Sequence, residues 1–474
     1  MQIRLLIILL TLLALSIFKV KAQSPNALYY LETIPQTSRI NPAMQPRANG
    51  FFALPSVNQL FQSDVAFRDI FQDTGDDWVT PLSSRYDYSD LYRVTGSTLY
   101  LNEYLDVDLF GLGFRSGRDY FTFALSFKNV TEIGFPSDLF KITEKGFADG
   151  ETFNLSTMRL NQIAYKELSF GYSREFTDKL TAGINVKPIF GMVGGKTDIN
   201  RLELQTNRTH YDMIVDGTIY SSAPIIVEEG EPGDFPEDIR DKELEDDDIV
   251  DYFTWFKNPG VGFDLGAVYD YSDQWSFSFA LNNLGFISWN EDLNSLSFNG
   301  EYRFDGLNVD GSNKDDLDEA VDDIVDSIKT VIHYDTGHKS FNSSLTPSLY
   351  FGAEYNLTNS ISFGALSRTV FQKYSTRQDF NLSANLQPYS FVALNLNYSV
   401  RVNGSNGMGT GLTFLAGPLQ IYMLADYIPL KHATVYMDDD EFTMFPEQQD
   451  FSFKFGLNFI FGRHGYSDEP MLVR

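Results

Sequence analysis

The sequence predicts an all-β fold: a transmembrane, antiparallel, up-and-down β-barrel of about 14 strands with an N-terminal hatch and a helical loop insert. Three observations predict it. Apolar and polar residues alternate over segments of about ten residues, the length at which a tilted strand crosses a bilayer. The apolar face of each segment carries Phe, Leu, Tyr and Trp, while the opposite face carries Ser, Thr, Asn, Gly and Ala. Aromatics make up 15% of the chain, with 41 Phe and 26 Tyr, too many for an unfolded polymer and enough to require a large apolar surrounding.

Charge and cysteine content narrow the function classes. The chain has 474 residues, 36 of them basic and 64 acidic, for a net charge of −28. That balance excludes the basic footprint of a nucleic-acid binder. No cysteine is present, which excludes disulfides, zinc-thiolate sites, iron–sulfur clusters and a lipidated N-terminal Cys. Beyond the first segment no stretch approaches 18 uninterrupted apolar residues, so a spanning mature chain has to be a closed barrel.

The chain opens MQIRLLIILLTLLALSIFKVKAQS. Arg4, the apolar run 5–18 and small residues at Val20 and Ala22 fit a signal peptide, 1–22, cut after Ala22. An uncleaved anchor is the other reading, for which the run is short. Residues 23–50 are expected to form a hatch, 51–462 the barrel and 463–474 a C-terminal tail. Phe121, Phe123, Leu125 and Phe127 share one strand face. Trp275, Phe277, Phe279 and Leu281 share another, as do Val392, Leu394, Leu396, Tyr398, Val400 and Val402. Near the end, Phe451, Phe453, Phe455, Leu457, Phe459 and Phe461 do the same. Weaker alternation covers 106–115, 163–174, 180–193, 261–269, 345–355, 361–369, 380–387, 409–416 and 419–427. RSGRD, NLTNS, NGSNG and AGPLQ join neighbouring strands, giving a meander. A soluble sandwich also alternates, but its strands are shorter and its polar face is wetted. Tyr100, Tyr104, Tyr120, Trp275, Trp289 and Tyr427 stand near strand ends, where interfacial aromatic girdles form.

The connections differ in character. Residues 69–90 read as a polar, aromatic loop or hatch element, and 136–145 as a short helix. The acidic loop 228–251 suits solvation, with divalent-cation bridging to lipopolysaccharide as the minority reading. In 312–332, Leu317, Val321, Ile324, Val325, Ile328 and Val331 recur at helical spacing. Acids crowd the N-terminal turns of that insert, where a helix dipole favours them. A calcium loop aligned on Gly311 fails, because Gly306 and Leu317 would hold ligand positions.

Asn41-Pro42-Ala43 precedes the first candidate strand, within SPNALYYLETIPQTSRINPAMQPRANGFFALP. This resembles the NPA motif in the hatch of the outer-membrane long-chain fatty-acid transporter (FadL-like) family. The segment from Gly262 to Trp289 resembles a hairpin common to that superfamily and to type IX secretion barrel proteins. The resemblance implies a barrel plugged by its N-terminus, sited in the outer membrane of a Gram-negative bacterium, that passes hydrophobic ligands through a pocket and a lateral wall opening. The tail RHGYSDEPMLVR and the acidic loops depart from that pattern. On it, Asn41, Pro42, Ala43 and Pro46 are hatch or gating residues, while an ordinary surface turn is their other reading. Pro188 marks either a bulge at a strand end or a kink that opens the wall.

No catalytic constellation is legible. The five histidines, His210, His333, His338, His432 and His464, sit in no GxSxG or HExxH context. His333, Asp335, His338 and Ser340 can be drawn as a cluster, but their spacing suits a solvated loop. GMVGG at 191–195 reads as a turn, since no helix pattern follows it. The expectation is therefore a non-enzyme without cofactor or metal. Its partners would be outer-membrane lipids and lipopolysaccharide, a hydrophobic small-molecule ligand and, in a docking reading, a secretion or surface protein. An apolar pocket behind Asn41 to Pro46 favours transport; a filled lumen with a large external patch favours docking.

Overall fold

The computed structural model describes residues 26–463, apart from 74, 76–77, 80–85, 89–90, 92–94, 146–148, 229–237, 242–255, 305–332, 403, 405, 429–432, 438–439 and 445–449. The leader, the helical insert 312–332 and residues 464–474 of the tail therefore lie outside the described residues. Of the acidic stretch, Asp238–Asp241 is described, and it pairs with Ile225–Glu228.

Fourteen antiparallel strands close on themselves. The first, β1, runs Ala48–Ala53 and Ser56–Ser63, interrupted at Leu54-Pro55, where proline has no N–H for the ladder. Then follow β2 (Thr98–Ser116), β3 (Asp119–Pro136), β4 (Arg159–Glu175) and β5 (Leu180–Thr206). The strand β6 comprises Tyr211–Ser222 and Pro259–Asp270, and β7 comprises Trp275–Trp289 and Leu293–Phe304. In β8 three pieces follow one line: His333–Gly337, Phe341–Ser344 and Ser348–Thr358. The meander continues through β9 (Ile361–Phe371), β10 (Thr376–Tyr389), β11 (Val392–Arg401), β12 (Asn406–Ala416) and β13 (Leu419–Asp426) to β14 (Asp450–Arg463). Closure is made by β1, which pairs with β2 on one side and β14 on the other.

Alternation decides which way each strand faces. In β3, Phe121 and Phe123 point outward while Tyr120, Ala124 and Ser126 are buried inward. In β11, Leu396, Tyr398 and Val400 are exposed, while Asn395, Asn397 and Ser399 are buried. In β14, Phe455, Phe459 and Phe461 face out, and Ser452, Lys454 and Asn458 face in. A belt of exposed Phe and Leu around a polar interior is stable only where the surrounding solvent is hydrocarbon.

The aromatic girdle differs from expectation. Of the six named residues, Trp275 faces outward, at 41% exposure. Tyr104 shares the inward parity of Asn102 and Asp106, Tyr100 shares it too, and Tyr120, Trp289 and Tyr427 are buried. Strand-end position alone does not fix the face; parity does. At the short-turn end the exposed aromatics are instead Tyr172, Phe176, Tyr269, Tyr271, Tyr389 and Phe391.

The two ends are unlike. Short turns such as 117–118, 271–274 and 417–418 cluster at one end, which is the periplasmic end in outer-membrane barrels. At the other end β5 is 27 residues long, far beyond a bilayer crossing. Its far half pairs with Tyr211–Ser222, which pairs with Leu293–Phe304, which in turn pairs with His333–Gly337. The wall from β5 to β8 thus rises above the rim. The helix expected at 136–145 is found at Asp138–Lys145. In the 69–90 segment, Val79, Tyr86 and Tyr88 bury one another with Leu91, against Phe140.

Candidate functional site

The inside of the barrel holds the chain's own N-terminal segment. Residues 26–47 fold there as a short helix, Asn26–Tyr29, and a 3-10 turn, Pro35–Arg39. Pro35 fits the first position of that turn because no partner awaits an N–H there. Leu28, Tyr29, Tyr30, Leu31, Ile34 and Ile40 pack on inward-facing wall residues, including Tyr350, Leu366, Tyr422 and Leu424. Burial pushes the Tyr29 hydroxyl up to about 12, so it stays protonated beside Ser278.

Polar contacts pin the segment at many heights. The Ala27 N–H donates to Asp426 at 3.3 Å, and Gln36 donates to Asn458 at 2.8 Å. Gln420 donates to the Thr33 carbonyl, and Asn282 to the Ile40 carbonyl at 2.6 Å. Arg39 reaches into an inward-facing ionic cluster, paired with Asp108 and 3.5 Å from Glu167. Lys128 donates to Glu167 at 2.9 Å, and Lys187 lies 2.7 Å from Asp264.

The NPA triplet has a defined seat. The Ala43 N–H donates to Asn41 Oδ1 at 3.0 Å, a side-chain turn that the fixed φ of Pro42 supports. Asn41 is fully buried. The triplet rests on Gly183 of β5 and Gly266 of β6, which are directly paired across the wall. A Cβ on Gly183 would stand 2.3 Å from the Pro42 carbonyl oxygen, and one on Gly266 2.1 Å from Asn41 Oδ1. The backbone of the segment approaches the wall this closely because those two positions lack side chains. Pro46 lies lower, and Arg115 donates to its carbonyl at 3.0 Å. Periodicity could not show the Gly183/Gly266 seat, because it depends on register between distant strands.

Pro188 lies apart from this seat. Pairing of β4 with β5 passes from Glu167↔Ile189 to Phe170↔Val186 with nothing paired between, while Pro188 keeps its place opposite Val261 of β6. The missing N–H accounts for the break in the β4 ladder.

Two cavities flank the segment. A vestibule of about 390 Å³ at the short-turn end is lined by Glu32, Gln45, Arg115, Glu175, Asp270 and Glu354 among others. A chamber of about 190 Å³ lies on the other side, against Leu28 and Ile40. Its wall is built in cross-strand rows. Lys454, Asn58, Asp106, Lys128 and Tyr165 stand opposite one another from β14 to β4. Two residues further along each strand, Leu60, Tyr104, Val130 and Ile163 form an apolar row. The chamber beside Ile40, just before the triplet, is thus part polar and part apolar, not the continuous apolar pocket that would have favoured transport outright.

A second element, not legible in the sequence, crosses the outer mouth. The turn 372–375 between β9 and β10 spans to the opposite wall. Gln372 donates to Tyr104 at 2.5 Å and to Gln62 at 3.2 Å. Lys373 donates to Asn161 at 3.5 Å, and Tyr374 donates to the Leu160 carbonyl at 3.2 Å. Burial pushes the Lys373 ammonium down to about 8. Of the histidines, His338 sits exposed against the Leu293 carbonyl, and His210 lies 3.3 Å from Asp212. His432 and His464 are outside the described residues, and among those described no group of acids and histidines could hold a metal ion.

Together, the closed wall, the hydrocarbon-facing belt and the occupied lumen define a membrane-spanning β-barrel of the plugged type. The chain belongs to the family of unknown function DUF5723, whose model matches residues 42–426. No curated protein matches it. Among solved structures it is similar to the toluene transporter TbuX of Ralstonia pickettii, at 9% identity and TM-score 0.44, covering 94% of this chain and 100% of that one. It is also similar to a FadL homologue of Pseudomonas aeruginosa, at 11% identity and TM-score 0.43, covering 94% and 100%. The toluene transporter TodX of Pseudomonas putida gives 10% identity and TM-score 0.40, covering 92% and 93%.

Proposed function

We propose that the chain is an outer-membrane conduit that binds hydrophobic small molecules and lets them pass down a gradient, with residues 26–47 as the gate. Asn41, Pro42 and Ala43 act as the hatch's foot on the Gly183/Gly266 seat, and Pro46 ties its exit to Arg115. The observation that carries the reading is the position of that segment, between a vestibule of about 390 Å³ and a chamber of about 190 Å³. Shifting it would join the two cavities. The apolar row Leu60, Tyr104, Val130 and Ile163 supports hydrophobic cargo. Fatty acids are one such class.

The test is electrical and chemical. Deleting residues 26–46 should raise single-channel conductance in planar bilayers at least tenfold and abolish saturable ligand retention. Unchanged conductance from a correctly closed barrel would contradict the reading.

One observation favours the second reading, a docking or assembly component. The β5–β8 wall stands above the rim as a four-stranded sheet. Cross-linking that captures one stoichiometric protein partner through this sheet, with no solute passage under any condition, would favour it.

A further inference from the structure

The chamber's chemistry narrows the cargo, and this step rests on the conduit reading above. In the row Lys454, Asn58, Asp106, Lys128, both lysines lean toward carboxylates one step nearer the hatch. Lys128 is bonded to Glu167, and Lys454 lies 3.7 Å from Asp108. That leaves Asn58 Oδ1 and Asp106 Oδ1 buried with no hydrogen-bond partner among the described residues. Across the chamber Asn282 spends its amide N–H on the Ile40 carbonyl, and its Oδ1 is likewise without a partner. All three residues line the chamber. All three open positions are acceptors, so an occupant has to donate.

Charge decides between kinds of donor. The cations around the chamber, Arg39, Lys128, Lys187, Lys454 and Arg368, are matched one for one by Asp106, Asp108, Glu167, Asp264 and Asp379. Each of these cations thus already has a carboxylate beside it, and none is free to take an ionic head group. A carboxylate would bring acceptors to acceptors. An ammonium would sit between Lys128 and Lys454. A bare hydrocarbon would leave three buried acceptors unpaired. The adjoining apolar side, from Leu28 and Ile40 to Leu60 and Val130, has room for a short hydrocarbon portion.

We propose that the chamber between the hatch and the outer turn binds neutral, hydroxyl-bearing amphiphiles, with Asn58, Asp106 and Asn282 accepting from the hydroxyls and the Leu60/Val130 row covering the hydrocarbon. Ordered water is the competing occupant.

The test uses the full mature chain in amphipol and three probes of equal chain length: 1-O-hexylglycerol, hexanoate and hexylammonium, titrated by calorimetry. Saturable binding of hexylglycerol at one per chain is expected, at least tenfold tighter than either ion. Asn58→Leu should weaken it at least tenfold while the folded barrel keeps its heat-modifiable gel shift. A second variant, Asn282→Leu, gives an independent loss should Asn58→Leu misfold. Hexanoate binding as tightly as hexylglycerol, or both variants binding like wild type, would overturn the proposal. So would the absence of saturable binding, which would leave the chamber to water. Conductance of the 26–46 deletion is independent of these titrations. A rise there with no hexylglycerol binding sinks the ligand class alone, and no rise sinks the conduit.

Discussion

At the scale of single residues, two positions govern how the N-terminal segment is held. Arg39 carries a cation from the segment into a wall cluster with the buried Asp108 and Glu167. Removing one partner of a buried pair strands the other's charge and costs about 3–5 kcal/mol. Arg39→Ala is therefore expected to lower the unfolding midpoint and to raise basal conductance, while Arg47→Ala, whose pair with Glu32 is half exposed, changes stability by less than about 1 kcal/mol. The Gly183/Gly266 seat offers a steric counterpart. Gly183→Val places carbon where the Pro42 carbonyl lies, and the foot of the segment has to lift. Limited proteolysis should then cut within 26–47 in the variant and not in wild type. The NPA motif draws attention to Asn41, Pro42 and Ala43 but not to the glycines beneath them, which lie 140 or more residues away and become neighbours only through strand register.

At the scale of elements, the strands were legible because two-residue alternation survives any loop between them. The faces of Tyr100, Tyr104, Tyr120, Trp289 and Tyr427 were not, because position near a strand end leaves the face open and parity decides it. The turn 372–375 was hidden for another reason: the four residues Gln-Lys-Tyr-Ser look like any hairpin turn until the opposite wall is in view. Its docking has a pH signature. Lys373 faces Lys196, Asp198, Glu132 and Arg159, and burial holds its ammonium near 8 against an ordinary value of 10.5. The undocked turn therefore binds more protons between those values, and docking strengthens as pH rises through that window. The chain has no native cysteine, so a single Ser348→Cys, on the inward face of the chamber opposite Asn282, reports access cleanly. Its labelling by an impermeant maleimide should slow as pH rises from 8 to 10, after correction for thiolate ionisation. Lys373→Met should remove that dependence, and Tyr374→Ala should speed labelling at every pH.

At the scale of the whole molecule, the outward belt sets where the protein can live. Leu396 lies midway along β11, half exposed on the lipid side. Leu396→Arg should cost about 2–4 kcal/mol in liposome unfolding titrations, and Leu396→Ala much less. The barrel itself follows from alternation, composition and strand length, all readable in one dimension. The chamber does not, because Lys454, Asn58, Asp106 and Lys128 form a row only when the last strand returns to the first. The gate is the claim on which transport depends. Gln36 and Asn458 exchange hydrogen bonds through their terminal amides at 2.8 and 3.1 Å, so Gln36→Cys with Asn458→Cys places two thiols too far apart for a direct disulfide but within reach of a short, reducible bis-methanethiosulfonate cross-linker, in a chain that has no others. Ligand uptake by cells carrying this pair should stop on cross-linking and return to the wild-type rate on reduction, while each single variant is insensitive to both. Equal uptake with the cross-link closed and open would show that molecules pass without moving residues 26–47, and the gating account would fail.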